Sequence, residues 1–226
     1  MLLNQKTIIV SDEMHEVCPL FVGAAVYAEL VNTPYNPVLW QEIDRRLAEY
    51  AQTQTVDTIK HIPAIEATRA VYRKCGKDPS RYRPSAEALI RRVLKGKGLY
   101  QIDTAVDLIN LASIVHGYSI GGFDYDKISG ERIVLGIGRV GEPYEGIGRG
   151  MINIEGMPVY RDAQGGIGTP TSDNERTKIE PTTSRLLALV NGYDGNEETV
   201  MKTAQLIQQL LKECADSDGG FVTLYK

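Results

Sequence analysis

The most informative part of the sequence is D-T-A-V-D-L-I-N-L-A-S-I-V-H-G, residues 103–117. Asp103 is a residue type that caps helix N-termini and Gly117 a type that ends helices, so a helix between them is predicted. Apolar residues lie almost all round this helix, which is typical of a buried one. Asp107 and Asn110 are three residues apart and share one face. Because buried polar groups need partners, we expect them to hold either neighbouring backbone or a ligand.

Helical and strand patterns continue on both sides of this helix. We predict further helices from Asn36, over His61–Cys75, from Ser85 to Gly96, and over Glu197–Cys214. The predicted strands are Thr7–Val10, Pro19–Val31, Arg132–Leu135, Gly150–Ile154, Met157–Tyr160, Leu186–Val190 and Gly220–Leu224. There is no internal repeat and no long linker, so these elements indicate one α+β domain over residues 1–226.

The composition narrows the class of protein. The chain has 226 residues, of which 42% are hydrophobic and 24% charged, and this excludes a disordered or fibrous protein. No apolar stretch approaches the ~20 residues that a membrane helix needs. Met1–Val10 lacks the pattern of a secretory signal. The three cysteines, Cys18, Cys75 and Cys214, are odd in number and far apart, so a reducing, cytoplasmic location is expected.

Basic residues are concentrated in one part of the chain. Residues 69–97 hold ten basic and two acidic side chains, although the net charge is −4. This asymmetry predicts either a phosphate-binding face or ordinary solvated helix faces. The candidate phosphate contacts within it are Arg81, Arg83, Arg91, Arg92, Lys95 and Lys97.

Familiar cofactor motifs are absent or lack their structural context. Residues 136–141 match G-x-G-x-x-G, but Pro143 and further glycines follow, so the helix that a dinucleotide site needs cannot begin there. The sequence has no phosphate-binding G-x-x-x-x-G-K motif and no zinc-ligand spacing. We therefore expect no cofactor and no metal.

A polar, glycine-rich loop over residues 164–177 is a second candidate site. Ser172, Asp173, Arg176 and Thr177 place hydroxyl, carboxylate and guanidinium groups within six residues. Such loops often carry function, and a plain hairpin connection is the alternative. Arg176 could contact a ligand or form a salt bridge within the loop, to Asp173 or Glu175.

Three motifs together resemble a known family. The helix contains V-D-x-x-N at residues 106–110, F-D-x-D-K-I-x-G follows at residues 123–130, and the glycine-rich loop precedes Thr177–Glu180. This set resembles the tRNA-editing (B3/B4) domain of the phenylalanyl-tRNA synthetase β chain in a free-standing form, with a family core at about residues 60–195. The resemblance implies an α+β domain of two sheets with packed helices.

The resemblance also implies a function and a site. The family domain hydrolyses the ester of wrongly attached tyrosine on phenylalanine tRNA. Transferred to this chain, Glu180 on a strand over Thr177–Glu180 and Asn110 would be the catalytic pair, and Glu180→Ala would abolish deacylation. The expected substrate-binding residues are Asp107, Ser113, Gly165, Gly166, Asp173, Arg176 and Thr177. The expected partner is tRNA with an aminoacylated 3′ end, and neither DNA nor a membrane.

One family position differs. The synthetase pattern has a histidine two residues before the Phe of F-D, and here that position is Gly121. Two hypotheses follow: a trans-editing hydrolase of mischarged aminoacyl-tRNA, or a non-catalytic module that binds tRNA or an amino acid.

Overall fold

A computed structural model describes residues 4–226. These residues form six α-helices and ten strands. The helices are α1 (Asp12–Val17), α2 (Pro37–Thr53), α3 (Pro63–Lys74), α4 (Ser85–Leu94), α5 (Thr104–His116) and α6 (Glu197–Cys214). The strands are β1 (Thr7–Val10), β2 (Val22–Glu29), β3 (Ile120–Asp124), β4 (Arg132–Ile137), β5 (Glu145–Gly146), β6 (Gly150–Met151), β7 (Pro158–Arg161), β8 (Gly166–Gly168), β9 (Arg185–Gly192) and β10 (Phe221–Tyr225).

The strands form two four-stranded sheets and one short ribbon. The first sheet has the order β1-β4-β7-β8, with β1 parallel to β4, and the second has the order β10-β2-β9-β3. Strands β5 and β6 pair with each other, and Gly146 of β5 also forms an isolated bridge with Asn174. The architecture confirms the predicted fold class, an α+β arrangement of two sheets with packed helices.

The second sheet lies between the helices and the first sheet. In β9, Leu186 and Ala188 pack against the helices, whereas Leu187 and Leu189 face the first sheet. Strand β2 alternates in the same way, and both strands are buried on both faces. Their sequences are therefore almost continuously apolar, although the sheet is antiparallel.

Helix α5 has the predicted bounds and caps. The Asp103 carboxylate accepts a hydrogen bond from Val106 N at 2.9 Å, and Gly117 has a φ of 79°. That φ favours glycine, because it carries no Cβ to clash. Strand β1 and helix α6 also have the predicted bounds.

Several local details differ from the predictions. Helix α1 and strands β3, β5 and β8 were not predicted, and the strand expected over Gly150–Ile154 shrinks to Gly150–Met151. The strand expected over Thr177–Glu180 is wrong, because Glu175–Thr177 forms a 3₁₀ turn and the next residues are irregular. The strand that follows the glycine-rich loop is β9. None of the helices within residues 4–226 is long and apolar enough to cross a membrane.

Candidate functional site: a cleft between α4, α5 and the 169–173 loop

A narrow cleft separates helices α4 and α5 from the loop that follows β8. Its volume is about 120 Å³. The lining residues are Ser85, Leu89, Ile109, Asn110, Ser113, Ile120, Thr169, Ser172 and Asp173. Ligand sites for drug-sized molecules usually measure 300–1,000 Å³. This cleft is therefore sized for a single small group, such as an amino-acid side chain.

Asp173 is the ionisable group of the cleft. One carboxylate oxygen, Oδ2, accepts a hydrogen bond from Gly122 N at 3.0 Å. The other, Oδ1, has no hydrogen-bond partner among residues 4–226, and Asp173 lines the cleft. Burial outweighs the single N–H contact and raises the pKa of Asp173 to about 7. At neutral pH the carboxyl group is therefore poised between its acid and base forms.

Two glycines make room for this carboxylate. A Cβ added to Gly168 would lie 2.6 Å from Phe123 Cζ and 3.0 Å from Asp173 Oδ1. A Cβ added to Gly121 would lie 2.7 Å from Phe123 Cζ and 3.4 Å from the same oxygen. Phe123 thus occupies the space that a histidine side chain at residue 121 would need. The packing around Phe123 therefore requires a glycine at this position.

The loop that presents Asp173 is held by its own hydrogen bonds. Thr169 Oγ1 accepts from the backbone N–H of Thr171 and of Ser172 and donates to Ser172 O at 2.9 Å. The phenol of Tyr144 donates to the same carbonyl at 2.7 Å. These bonds fix the loop, so the carboxylate position does not depend on a bound ligand.

Asn110 faces Asp173 across the cleft and is the second polar group available to a ligand. Its amide forms no hydrogen bond with another residue of 4–226. Ser113, one turn further along α5, also lines the cleft, but its hydroxyl donates to Tyr118 O at 2.7 Å. Asp173, Asn110 and Ser113 are all predicted site residues, and the structure brings them together.

Asp107 has a different role from its neighbour Asn110. Its Oδ2 accepts from Trp40 Nε1 at 2.9 Å and its Oδ1 from Ile102 N at 3.0 Å. The side chain is buried, and desolvation raises its pKa to about 6. Of the two alternatives considered, the structure supports the anchoring of neighbouring segments, and Asp107 does not line the cleft.

The remaining loop residues gather around Asp162 instead of the cleft. Arg176 donates to both oxygens of Asp162, at 2.8 and 2.9 Å, and so pairs with neither Asp173 nor Glu175. This pairing holds the pKa of Asp162 below its usual range against the opposing effect of burial. Gly165 N also donates to Asp162, at 3.1 Å. Thr177 is buried and its hydroxyl has no partner among residues 4–226.

Two further expected site residues, Gly166 and Glu180, do not line the cleft. Gly166 lies in β8, where an added Cβ would approach Tyr144 Cδ2 to 2.8 Å. Glu180 is partly exposed, and its Oε2 accepts from Lys127 Nζ at 2.7 Å, which lowers its pKa. Glu180 does not line the cleft with Asn110. A carboxylate does face Asn110, but Asp173 supplies it.

The basic residues divide into several groups. Arg83 and Arg91 approach the buried Glu87, at 3.4 Å each. The Arg92 guanidinium stacks on Tyr100 at 3.6 Å from the ring centroid, and Arg81 lies 5.5 Å from the ring of Tyr82. Lys95 and Lys97 are exposed just beyond α4.

The part of the chain that the structure describes contains no cluster of three His, Cys, Asp or Glu side chains able to hold a metal ion. Ser172, a predicted loop candidate, lines the cleft, whereas Ser85, Leu89, Ile109, Ile120 and Thr169 line it without having been predicted. One signal was visible, because Ile109 adjoins Asn110. The others come from elements that only folding brings together.

Comparison with known proteins defines the family. The model of the B3/4 domain family matches residues 67–212, and the chain belongs to this family. The chain is also similar to the crystal structure of an N-terminal fragment of the phenylalanyl-tRNA synthetase beta-subunit from Pyrococcus horikoshii. That similarity covers 98% of this chain and 52% of the fragment, with 15% sequence identity and a TM-score of 0.48. The chain thus spans about half the length of that fragment. No curated protein matches.

Proposed function

We propose that this protein binds the aminoacylated 3′ end of a mischarged tRNA and hydrolyses its ester bond. Membership of the B3/4 family supports a tRNA-related role. The observation that carries the hydrolytic proposal is Asp173, which lines the cleft together with Asn110, has a pKa of about 7 and has one carboxylate oxygen without a hydrogen-bond partner among residues 4–226.

In the proposed reaction, Asp173 acts as the general base. Its Oδ1 takes a proton from a water molecule as the water oxygen attacks the ester carbonyl carbon. The side-chain amide of Asn110 donates to the carbonyl oxygen as that oxygen gains negative charge. The bond from carbon to the ribose oxygen then breaks, and the ribose oxygen leaves with the proton. The products are a free amino acid and an uncharged tRNA.

The cleft also limits what can be bound. Leu89, Ile109 and Ile120 supply apolar surface, and the serine and threonine hydroxyls add hydrogen-bonding groups. A volume of about 120 Å³ suits an amino-acid side chain and leaves the nucleotide outside. The tRNA would then lie along the basic surface that begins beside α4.

Asn110→Ala tests the assignment directly. We expect its deacylation rate on tyrosine-charged phenylalanine tRNA to fall about 10²-fold, the usual cost of losing one oxyanion donor. Phenylalanine-charged tRNA is the substrate control. Glu180→Ala is the matched variant: its side chain pairs with Lys127 outside the cleft, so its rate should equal that of the wild type. Loss of activity in Glu180→Ala with normal activity in Asn110→Ala would contradict this site.

The second candidate function is a non-catalytic module that binds tRNA or an amino acid. Gly121 favours it, because the family's histidine is replaced and Phe123 fills the space. A gel shift with total tRNA at two salt concentrations separates the candidates. Salt-sensitive binding without release of any amino acid supports the module, whereas release supports the hydrolase.

A further inference from the structure

A buried carboxylate on α4 gathers three arginines from three parts of the chain. Glu87 is 2% exposed. Arg69 of α3 donates from Nη1 to Glu87 Oε2 at 2.7 Å. Arg83, from the segment before α4, and Arg91, one turn after Glu87, each approach Oε1 at 3.4 Å. We call these three arginines and Glu87 the arginine cluster.

The arginine cluster carries more positive charge and more N–H donors than Glu87 can neutralise. Three guanidinium groups and one carboxylate leave two positive charges, and each guanidinium has five N–H donors. The Nε atoms of Arg83 and Arg91 are buried, and Arg83 Nε is the atom that approaches Glu87 Oε1, so the terminal guanidinium nitrogens are what is left for a ligand. Both side chains remain accessible, with 39% and 28% of their surface exposed. The cluster is therefore rigidly organised and electrostatically unsaturated.

The surroundings of the cluster add to this positive surface. A depression of about 420 Å³ opens beside Arg69, and Arg73, Asp78 and Ser80 line it as well. Arg69 reaches Ser80 Oγ at 3.3 Å, which keeps its guanidinium at the rim. Asp78 is the acidic group among these lining residues, and it is occupied by the backbone N–H of Ser80. Charge complementarity therefore favours an anionic occupant with several charges.

We propose that the arginine cluster binds successive phosphodiesters of the single-stranded RNA 3′ end, with Glu87 as the positioning residue. This proposal rests on the proposed function. Helix α4 connects the two sites: Ser85 and Leu89 line the cleft, while Glu87 and Arg91 lie on its other side. A helix is about 10–12 Å across, so an RNA strand that crosses α4 reaches both sites. Guanidinium groups match phosphate geometry with paired N–H donors.

Binding of an uncharged RNA hairpin with a single-stranded 3′ end, followed by fluorescence anisotropy at several salt concentrations, tests this proposal. We expect Arg69→Gln to weaken binding about tenfold and to reduce the salt slope by about 1. Glu87→Gln should also weaken binding, although it makes the protein more positive, because the arginines lose their organiser. Arg45→Gln is the control, since Arg45 pairs with Glu42 and Glu49 on α2.

Charge alone predicts the opposite result for Glu87→Gln. Equal or tighter RNA binding by that variant contradicts the positioning role of Glu87. Unchanged RNA binding by Arg69→Gln contradicts the proposal that the arginine cluster binds RNA. Tighter binding of polyglutamate than of RNA would also contradict that proposal. If a thermal unfolding measurement shows that Glu87→Gln is not folded, Arg69→Lys is used instead. Lysine keeps the positive charge but lacks the paired N–H donors of arginine, so RNA binding should still weaken.

A small amino-acid ester without RNA keeps the two proposals distinguishable. Its hydrolysis should be unaffected by Arg69→Gln, because this substrate reaches only the cleft. If the wild type binds RNA but hydrolyses no ester, the arginine cluster is supported as an RNA-binding site and the hydrolase is rejected. If the wild type hydrolyses the ester and Arg69→Gln binds RNA normally, the hydrolase is supported and the arginine cluster is rejected.

Discussion

Asp173→Asn is expected to reduce deacylation by 10²–10⁴-fold, the range attributed to a positioned general base. The amide keeps the shape of the carboxyl group, and its oxygen can still accept from Gly122 N, so the loop is retained. What the variant loses is the ability to take a proton. Single-turnover deacylation measures the effect, and a variant with at least a tenth of the wild-type rate would exclude Asp173 as the base.

The pH dependence of the wild type provides an independent check. A general base acts only when ionised, so the rate should rise about tenfold per pH unit below pH 7 and level off above it. A midpoint near pH 4, the usual range of an aspartate, would show that another group controls the rate.

Asp173→Asn should also stabilise the folded protein at high pH. The folded pKa of about 7 lies above the ordinary value of 3.8, so the folded state retains a proton that the unfolded chain releases. Stability contributed by this group is therefore full below pH 4 and is lost as the pH rises through 7. The loss is about 4 kcal/mol at most, at 1.36 kcal/mol per pKa unit. Asparagine does not ionise, so Asp173→Asn should show a higher Tm at pH 8 and little change at pH 4.

Phe123→Ala is the second variant with a large expected effect. Phe123 is fully buried, and its ring lies against the Cα atoms of Gly121 and Gly168. Truncation of a buried phenylalanine costs about 3–5 kcal/mol, because the apolar contacts are lost and a cavity remains. The free energy of unfolding, measured by urea titration, should fall by this amount.

Phe123→Ala should also change the chemistry of the cleft. The cavity would lie beside the Asp173 carboxylate, and water entering it would reduce the desolvation that raises this pKa. The midpoint of the pH–rate profile should therefore move below 7. Phe21→Ala is the matched control: Phe21 is buried in the same core but packs on Tyr193 and Tyr225. It should lose similar stability and keep the midpoint, and an equal shift in both variants would contradict the local explanation.

The sequence predicted α5 well because its signals are local. An N-capping aspartate, an apolar run and a left-handed glycine all act within one or two turns of the helix. The same reasoning explains α6, which has the predicted bounds. Strand β3 was missed because it contains two glycines, and its strand conformation comes from pairing with β9.

Local sequence patterns do not identify the carboxylate that lies opposite Asn110. Thr177–Glu180 was aligned with a family strand by order along the chain, and the true strand begins at Arg185. Whether Glu180 or Asp173 faces Asn110 depends on how the loop turns back over β8. That path is set by Thr169, by Tyr144 and by the Gly168–Asp173 bridge, none of which a sequence pattern reveals.

The fold class, the family motifs, the α5 helix and a set of polar residues that includes Asn110, Ser113 and Asp173 can be identified from the amino-acid sequence. Periodicity and caps are short-range properties, so one chain suffices to detect them. The folded structure is needed to show that Asp107 anchors Trp40, that Arg176 pairs with Asp162, and that Glu87 contacts three arginines. Each of these outcomes depends on which distant groups desolvate and neutralise a charge, and the packing of the folded chain sets those distances.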